Sequence, residues 1–148
     1  MEKKYLLRFL IFVLVTLMSF SFTSCEKEEE EEPDPSGTIE LDIRKDGQGG
    51  TYLYFGENHY LYINKSDNFK GYRCKIADVG SVKGLSSIKS IPQDGWAQQV
   101  GVRPGHGYVI GGNNEITYMR LYVVEYIKGA SDGGVIGAAV KYQYPWNP

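Results

Sequence analysis

From Ile39 onward, hydrophobic and polar residues alternate with a period of two. Ile39, Leu41 and Ile43 alternate with Glu40, Asp42 and Arg44, the pattern of a strand that buries one face. Asp46-Gly47-Gln48-Gly49-Gly50 then reads as a turn. Two near-copies follow, Tyr52-Leu53-Tyr54-Phe55 and Tyr60-Leu61-Tyr62-Ile63, separated by Gly56-Glu57-Asn58-His59. They predict a β-hairpin with a four-residue loop, tyrosines on one face and Leu, Phe or Ile on the other. Further strands are expected at 72–77, 86–91, 97–102 and 108–110, with a type II turn at Arg103-Pro104-Gly105-His106. The longest apolar stretch, 116–127, is rich in β-branched and aromatic residues, which favours strand over helix. Gly129 to Gly134 turns the chain into a last strand, 135–144, closed by Pro145. With no sustained helical period and turns every 8–12 residues or so, the expected fold is all-β, a small antiparallel β-sandwich or barrel.

The beginning of the 148-residue chain carries a different pattern. Lys3, Lys4 and Arg8 precede an almost wholly apolar run from Phe9 to Phe22, and the small residues Thr23 and Ser24 lead to Cys25. That is the architecture of a secretory signal peptide, and the run is too short for a comfortable membrane span. The cysteine after two small residues resembles a bacterial lipobox, with Phe22 where that motif usually has Leu or Val. The resemblance implies cleavage before Cys25, a diacylglycerol thioether on its sulfur and acylation of the new amino group. Two or three acyl chains give a lasting anchor, because each buried methylene contributes about 0.8 kcal/mol. Glu26-Lys27 and the run Glu28 to Glu32 then lead into Pro33-Asp34-Pro35. So dense a like-charge block repels itself and predicts an extended, disordered tether. It resembles the acidic export signal that follows the lipidated cysteine in surface lipoproteins of Bacteroidetes. The chain therefore divides into a signal peptide (1–24), a lipidated cysteine with its tether (25–36), and a single β-domain (37–148).

Charge changes the picture once the tether is set aside. The formal net charge of −2 is dominated by those glutamates, whereas from Gly37 onward basic residues slightly outnumber acids and neither sign is concentrated. Nucleic acid as a partner would want a basic face, and none is visible. With Cys25 lipidated, Cys74 is the only cysteine left, so no disulfide can form within the domain and a small buried hydrophobe is expected there. Material for catalysis is sparse. His59 and His106 both fall in predicted turns, no hydrolase or phosphate-binding motif is present, and Asp42 and Asp46 lack the alternating partners of a calcium loop. An enzyme would need one of the histidines to converge with a carboxylate in a concave pocket. The expectation is a non-enzymatic domain without metal or cofactor.

Aromatic content is the remaining clue. The chain has 12 tyrosines and two tryptophans, Trp96 and Trp146, more than a small core requires. Aromatic faces stack on sugar rings and serve well in protein interfaces, although tyrosines also pair across strands without any ligand. Tyr52, Tyr54, Tyr60, Tyr62 and Trp96 are accordingly the candidate ligand-binding residues. The segments 62–69, 95–100, Pro104-Gly105-His106-Gly107-Tyr108-Val109 and Val140-Lys141-Tyr142-Gln143-Tyr144-Pro145 together resemble a recurrent β-domain. It belongs to secreted and lipid-anchored proteins of gut Bacteroidetes and is a domain of unknown function. The resemblance implies surface export but brings no activity or ligand. The expected protein is a surface-exposed outer-membrane lipoprotein, held in the membrane by its lipid and carrying a non-catalytic binding or accessory module for a glycan or protein. The alternative is a structural subunit of a larger envelope complex, marked by a contiguous apolar patch.

Overall fold

The computed structural model describes residues 33–45, 52–112 and 117–148. The leader, Cys25, the glutamate run and the turn at 46–50 lie outside the described residues. Among the described residues the strands are β1 (Ile39–Arg44), β2 (Leu53–Phe55), β3 (His59–Ile63), β4 (Asn68–Tyr72), β5 (Cys74–Ser81), β6 (Gln99–Gly101), β7 (His106–Gly112), β8 (Tyr118–Lys128) and β9 (Val135–Trp146). They form an antiparallel five-stranded sheet, ordered β1-β9-β8-β7-β5, and a four-stranded sheet, ordered β2-β3-β4-β6. The fold is thus all-β as expected, and of the two forms left open it is the small sandwich rather than the barrel. Single backbone bridges stitch the sheets together, Lys45 to Ile63 at one seam and Ile76 to Ala97 at the other.

The alternation read from the sequence places the core. Leu53, Phe55, Leu61, Ile63 and Phe69 face inward from the small sheet and meet Ile43, Ile76, Tyr108, Ile110, Met119, Leu121, Val123 and Val140 from the large one. Burying each such aliphatic or aromatic side chain contributes roughly 1.5–3 kcal/mol. The large sheet is covered on its outer face as well, by the long connection between β5 and β6. There Leu85 and Ile88 pack on Val109 and Trp146, with Ile91, Trp96, Tyr118 and Tyr122 around them.

Four local expectations need correction. The hairpin loop has three residues, since Phe55 pairs with His59, and Gly56 (φ 57°) and Asn58 (φ 64°) both turn left-handed. The expected strand at 86–91 is absent; Leu85–Ser87 is a single 3-10 turn and the rest is irregular, because this segment lies over a sheet face and finds no edge to pair with. The expected strand at 72–77 is two strands on different sheets, broken at Arg73, whose φ of 57° turns the chain from β4 into β5. β9 runs through Pro145 to Trp146; β1 begins only opposite Tyr142, so on that side nothing asks Pro145 for an amide hydrogen.

Candidate functional site

Because Leu53, Phe55, Leu61, Ile63 and Phe69 point into the core, the residues between them must point out. Strand register then assembles a tyrosine grid. Tyr54 pairs with Tyr60 across β2–β3, and Tyr60 with Tyr72 across β3–β4. Tyr52, just before β2, lies 5.2 Å from Tyr60 and 5.7 Å from Tyr62 between ring centroids, both edge-to-face. Tyr60 and Tyr72 stack at 4.8 Å and 14°, and the Arg73 guanidinium lies 5.5 Å from the Tyr72 centroid. Such pairs are worth about 0.5–1.5 kcal/mol each beyond their buried area, so the rings hold one another in place. Tyr54 remains 68% exposed, Tyr72 45% and Tyr52 37%. Tyr60 and Tyr62 are half-buried by these neighbours.

The structure therefore brings four of the five candidate residues together and adds a fifth tyrosine, Tyr72. Trp96 is elsewhere. Half-buried in the cover of the large sheet, it donates from Nε1 to the Pro92 carbonyl at 3.1 Å. It lines a cavity of about 190 Å3 with Lys75, Ile91, Pro92, Gly111, Gly112 and Tyr118. Gly111 makes room for these rings, since a Cβ there would come within 2.7 Å of Tyr118.

The histidines are on different sheets. His59 stacks on Phe55 at 5.8 Å. His106 Nδ1 lies 3.0 and 3.2 Å from the two carboxylate oxygens of Asp78, and one of those oxygens also accepts from the Gly80 amide at 2.8 Å. Beside them the Tyr108 hydroxyl donates to the Gly101 carbonyl at 2.8 Å and accepts from the Arg103 amide at 3.0 Å. Burial, reinforced by the Asp78 charge, pushes its pKa above the ordinary tyrosine value. Together these bonds tie the β6–β7 turn to β5. The cavity beside Trp96 includes neither histidine, nor does the one beside Lys141 described below. Cys74 is a buried thiol whose Sγ donates to the Tyr60 carbonyl oxygen at 3.8 Å.

Residues 33–38 lie against the sandwich. Asp34 accepts a hydrogen bond from Lys141 Nζ at 2.8 Å, and Thr38 donates from its hydroxyl to the Pro35 carbonyl at 2.7 Å. Lys141 points outward from β9, so Pro33 and Asp34 rest on the outer face of the large sheet. There they line a cavity of about 250 Å3 with Lys83, Gly84, Ser86, Ser87, Tyr122 and Lys141. The Asp34 hydrogen bond and charge raise the Lys141 pKa above its ordinary value. A raised lysine contributes stability that is fully present below its unfolded value, about 10.4, and is lost as pH rises through the folded one. Replacing Asp34 with Asn is therefore expected to lower the Lys141 titration toward its ordinary value, read by NMR at Nζ, with Glu40 at 3.5 Å retaining part of the shift. The stability cost should be no more than about 1 kcal/mol at neutral pH and vanish at alkaline pH.

The fold and this face define a class, a small antiparallel β-sandwich with one sheet face paved by tyrosine. A family model for a domain of unknown function, DUF5036, matches residues 40–146, and the chain belongs to that family. No curated protein and no solved structure matches it.

Proposed function

We propose that this protein is a lipid-anchored outer-membrane lipoprotein, displayed on the cell surface, whose β-domain is a non-catalytic module that binds a glycan or a protein through its tyrosine face. The observation that carries the reading is the contiguous set of Tyr52, Tyr54, Tyr60, Tyr62 and Tyr72, three of them more than a third exposed, on the outer face of the small sheet. Its placement supports the same reading. Pro33 and Asp34 lie on the outer face of the other sheet, so the chain enters the sandwich from the face opposite the tyrosines. The leader, Cys25 and the glutamate run supply the anchor and the export signal in this reading.

Two experiments test its two halves. Cys25→Ala should release the protein from membranes, and alanines at Glu28 to Glu32 should leave it lipidated but facing the periplasm. Protease shaving of intact cells that still removes the domain of the alanine variant would refute the export assignment. For binding, Tyr54→Ala is expected to weaken capture on a glycan array or by a protein ligand about tenfold, the loss of one stacked ring. If neither a glycan nor a protein is retained, and the domain instead co-purifies in fixed ratio with an envelope complex, the alternative of a structural subunit takes its place.

A further inference from the structure

We propose, building on the reading above, that the ligand of the tyrosine face is an acidic polysaccharide, one bearing carboxylate or sulfate groups, and that Lys70 is its charge contact. The small sheet presents more than tyrosine on its outer face. The outward strand positions are Tyr54 on β2, Tyr60 and Tyr62 on β3, Asn68, Lys70 and Tyr72 on β4, and Gln99 and Gly101 on β6. None of these is a carboxylate, and none is a large aliphatic residue. Lys70 is exposed and lies between Tyr62 on one side and Gln99 on the other in strand register. From Tyr52 across Tyr62 and Lys70 to Gln99 the row crosses four strands, about 15 Å at the usual strand spacing, the span of a short oligosaccharide. A second cation, Arg73, borders the face over Tyr72.

This composition distinguishes between ligand classes. The centre of a protein interface is depleted of charge and filled by apolar side chains. Here a lysine occupies the interior of the face, and burying its ammonium against a dry partner without an anion would be costly. A hydrated polysaccharide imposes no such cost. Its ring faces stack on tyrosine, its hydroxyls bond to phenol, Asn68 and Gln99, and its acidic groups meet Lys70 in water-accessible surroundings. The most exposed ring, Tyr54, offers an open stacking surface, whereas Tyr72 is held between Tyr60 and Arg73 and serves to position them.

The test uses the full chain, solubilised in detergent, against polygalacturonate, chondroitin sulfate and neutral dextran, with binding followed by biolayer interferometry. One or both polyanions should bind and dextran should not. Affinity should fall about tenfold between about 0.05 M and about 0.3 M salt. Lys70→Glu should weaken binding by at least about tenfold and Lys70→Gln by less, as removal of one charge contact requires. Tyr54→Ala should weaken it without changing the salt dependence. Both side chains are exposed, and an unchanged tryptophan emission verifies the fold. Dextran binding as well as the polyanions, with Lys70→Glu silent and Tyr54→Ala damaging, would overturn the acidic-ligand inference while leaving the face as a binding site. Polyanion binding indifferent to both variants would place the charge contact elsewhere and overturn it too. Retention of a protein ligand with no polysaccharide bound would overturn the glycan class, and no binding of any kind would take the functional reading down with it.

Discussion

Replacing Gly137 with valine is expected to cost about 3 kcal/mol or more, which lowers the Tm of a domain of this size by about 12 °C or more. Gly137 lies near the start of β9, flanked on both sides by strands and paired with Arg44 at the end of β1 and Ile127 near the end of β8. A Cβ there would collide with the Ile43 carbonyl oxygen and come within 3.1 Å of the Arg44 Cα. Both obstacles are backbone, so no rotamer change can relieve them and β1 must move away from β9. Alanine should act in the same direction, because the first carbon already collides. Gly101→Ala is the control, since its Cβ would meet nothing closer than 3.8 Å, and it should shift stability by no more than about 0.5 kcal/mol. Amide exchange gives the local readout. Amides from Ile39 to Arg44 should lose protection in Gly137→Ala before those of β7 and β8 do. Unchanged protection and Tm would mean that β1 is not closely apposed to β9.

The alternation of the sequence made much of this architecture legible. Wherever a strand has one wet face, a two-residue period fixes which side chains go in. Leu53, Phe55, Leu61 and Ile63 against four tyrosines could be read without coordinates, and the candidate face followed from them. Tyr72 escaped for a physical reason. It shares parity with Cys74 and Ile76, so a single strand over 72–77 would turn it inward; the left-handed backbone at Arg73 resets the phase and leaves it out. The spacing of Phe69 and Lys70 before it was the available signal. Lys70 carried no mark of its own, because its place beside Tyr62 exists only through β3–β4 register. The cover segment resisted for the opposite reason. Residues 83–96 fold by lying on a face rather than by pairing with an edge, and no local period encodes that. Trp96 followed this segment away from the tyrosines.

Arg120→Met is expected to cost about 3 kcal/mol, the scale for losing a buried charged hydrogen-bonding group. Arg120 is buried on the outer side of β8, beneath the cover segment. Its Nη1 donates to the Ile88 carbonyl at 2.8 Å, its Nε donates to Gln143 Oε1 at 2.8 Å, and its guanidinium lies 5.3 Å from the Trp146 ring centroid. Burial lowers its pKa from the ordinary arginine value, with the Asp34 charge opposing, but a guanidinium remains a cation at any physiological pH. Methionine keeps length and apolar bulk while leaving the Ile88 carbonyl without this donor, so the loss falls on the cover. Lysine should recover only part of the stability, since a point charge cannot serve Ile88, Gln143 and the Trp146 face at once. Both tryptophans of the chain belong to this layer, so their emission should shift to the red in Arg120→Met as Tm falls by about 12 °C. The tyrosine face lies on the other sheet and shares no side-chain partner with Arg120. Ligand affinity of the folded variant should therefore stay within about twofold of the parent, additivity being the rule for distant sites. A loss of binding as large as that of Tyr54→Ala, at a temperature where Arg120→Met is fully folded, would show that the cover and the tyrosine face act as one unit and that the binding surface extends around the sandwich to Trp96.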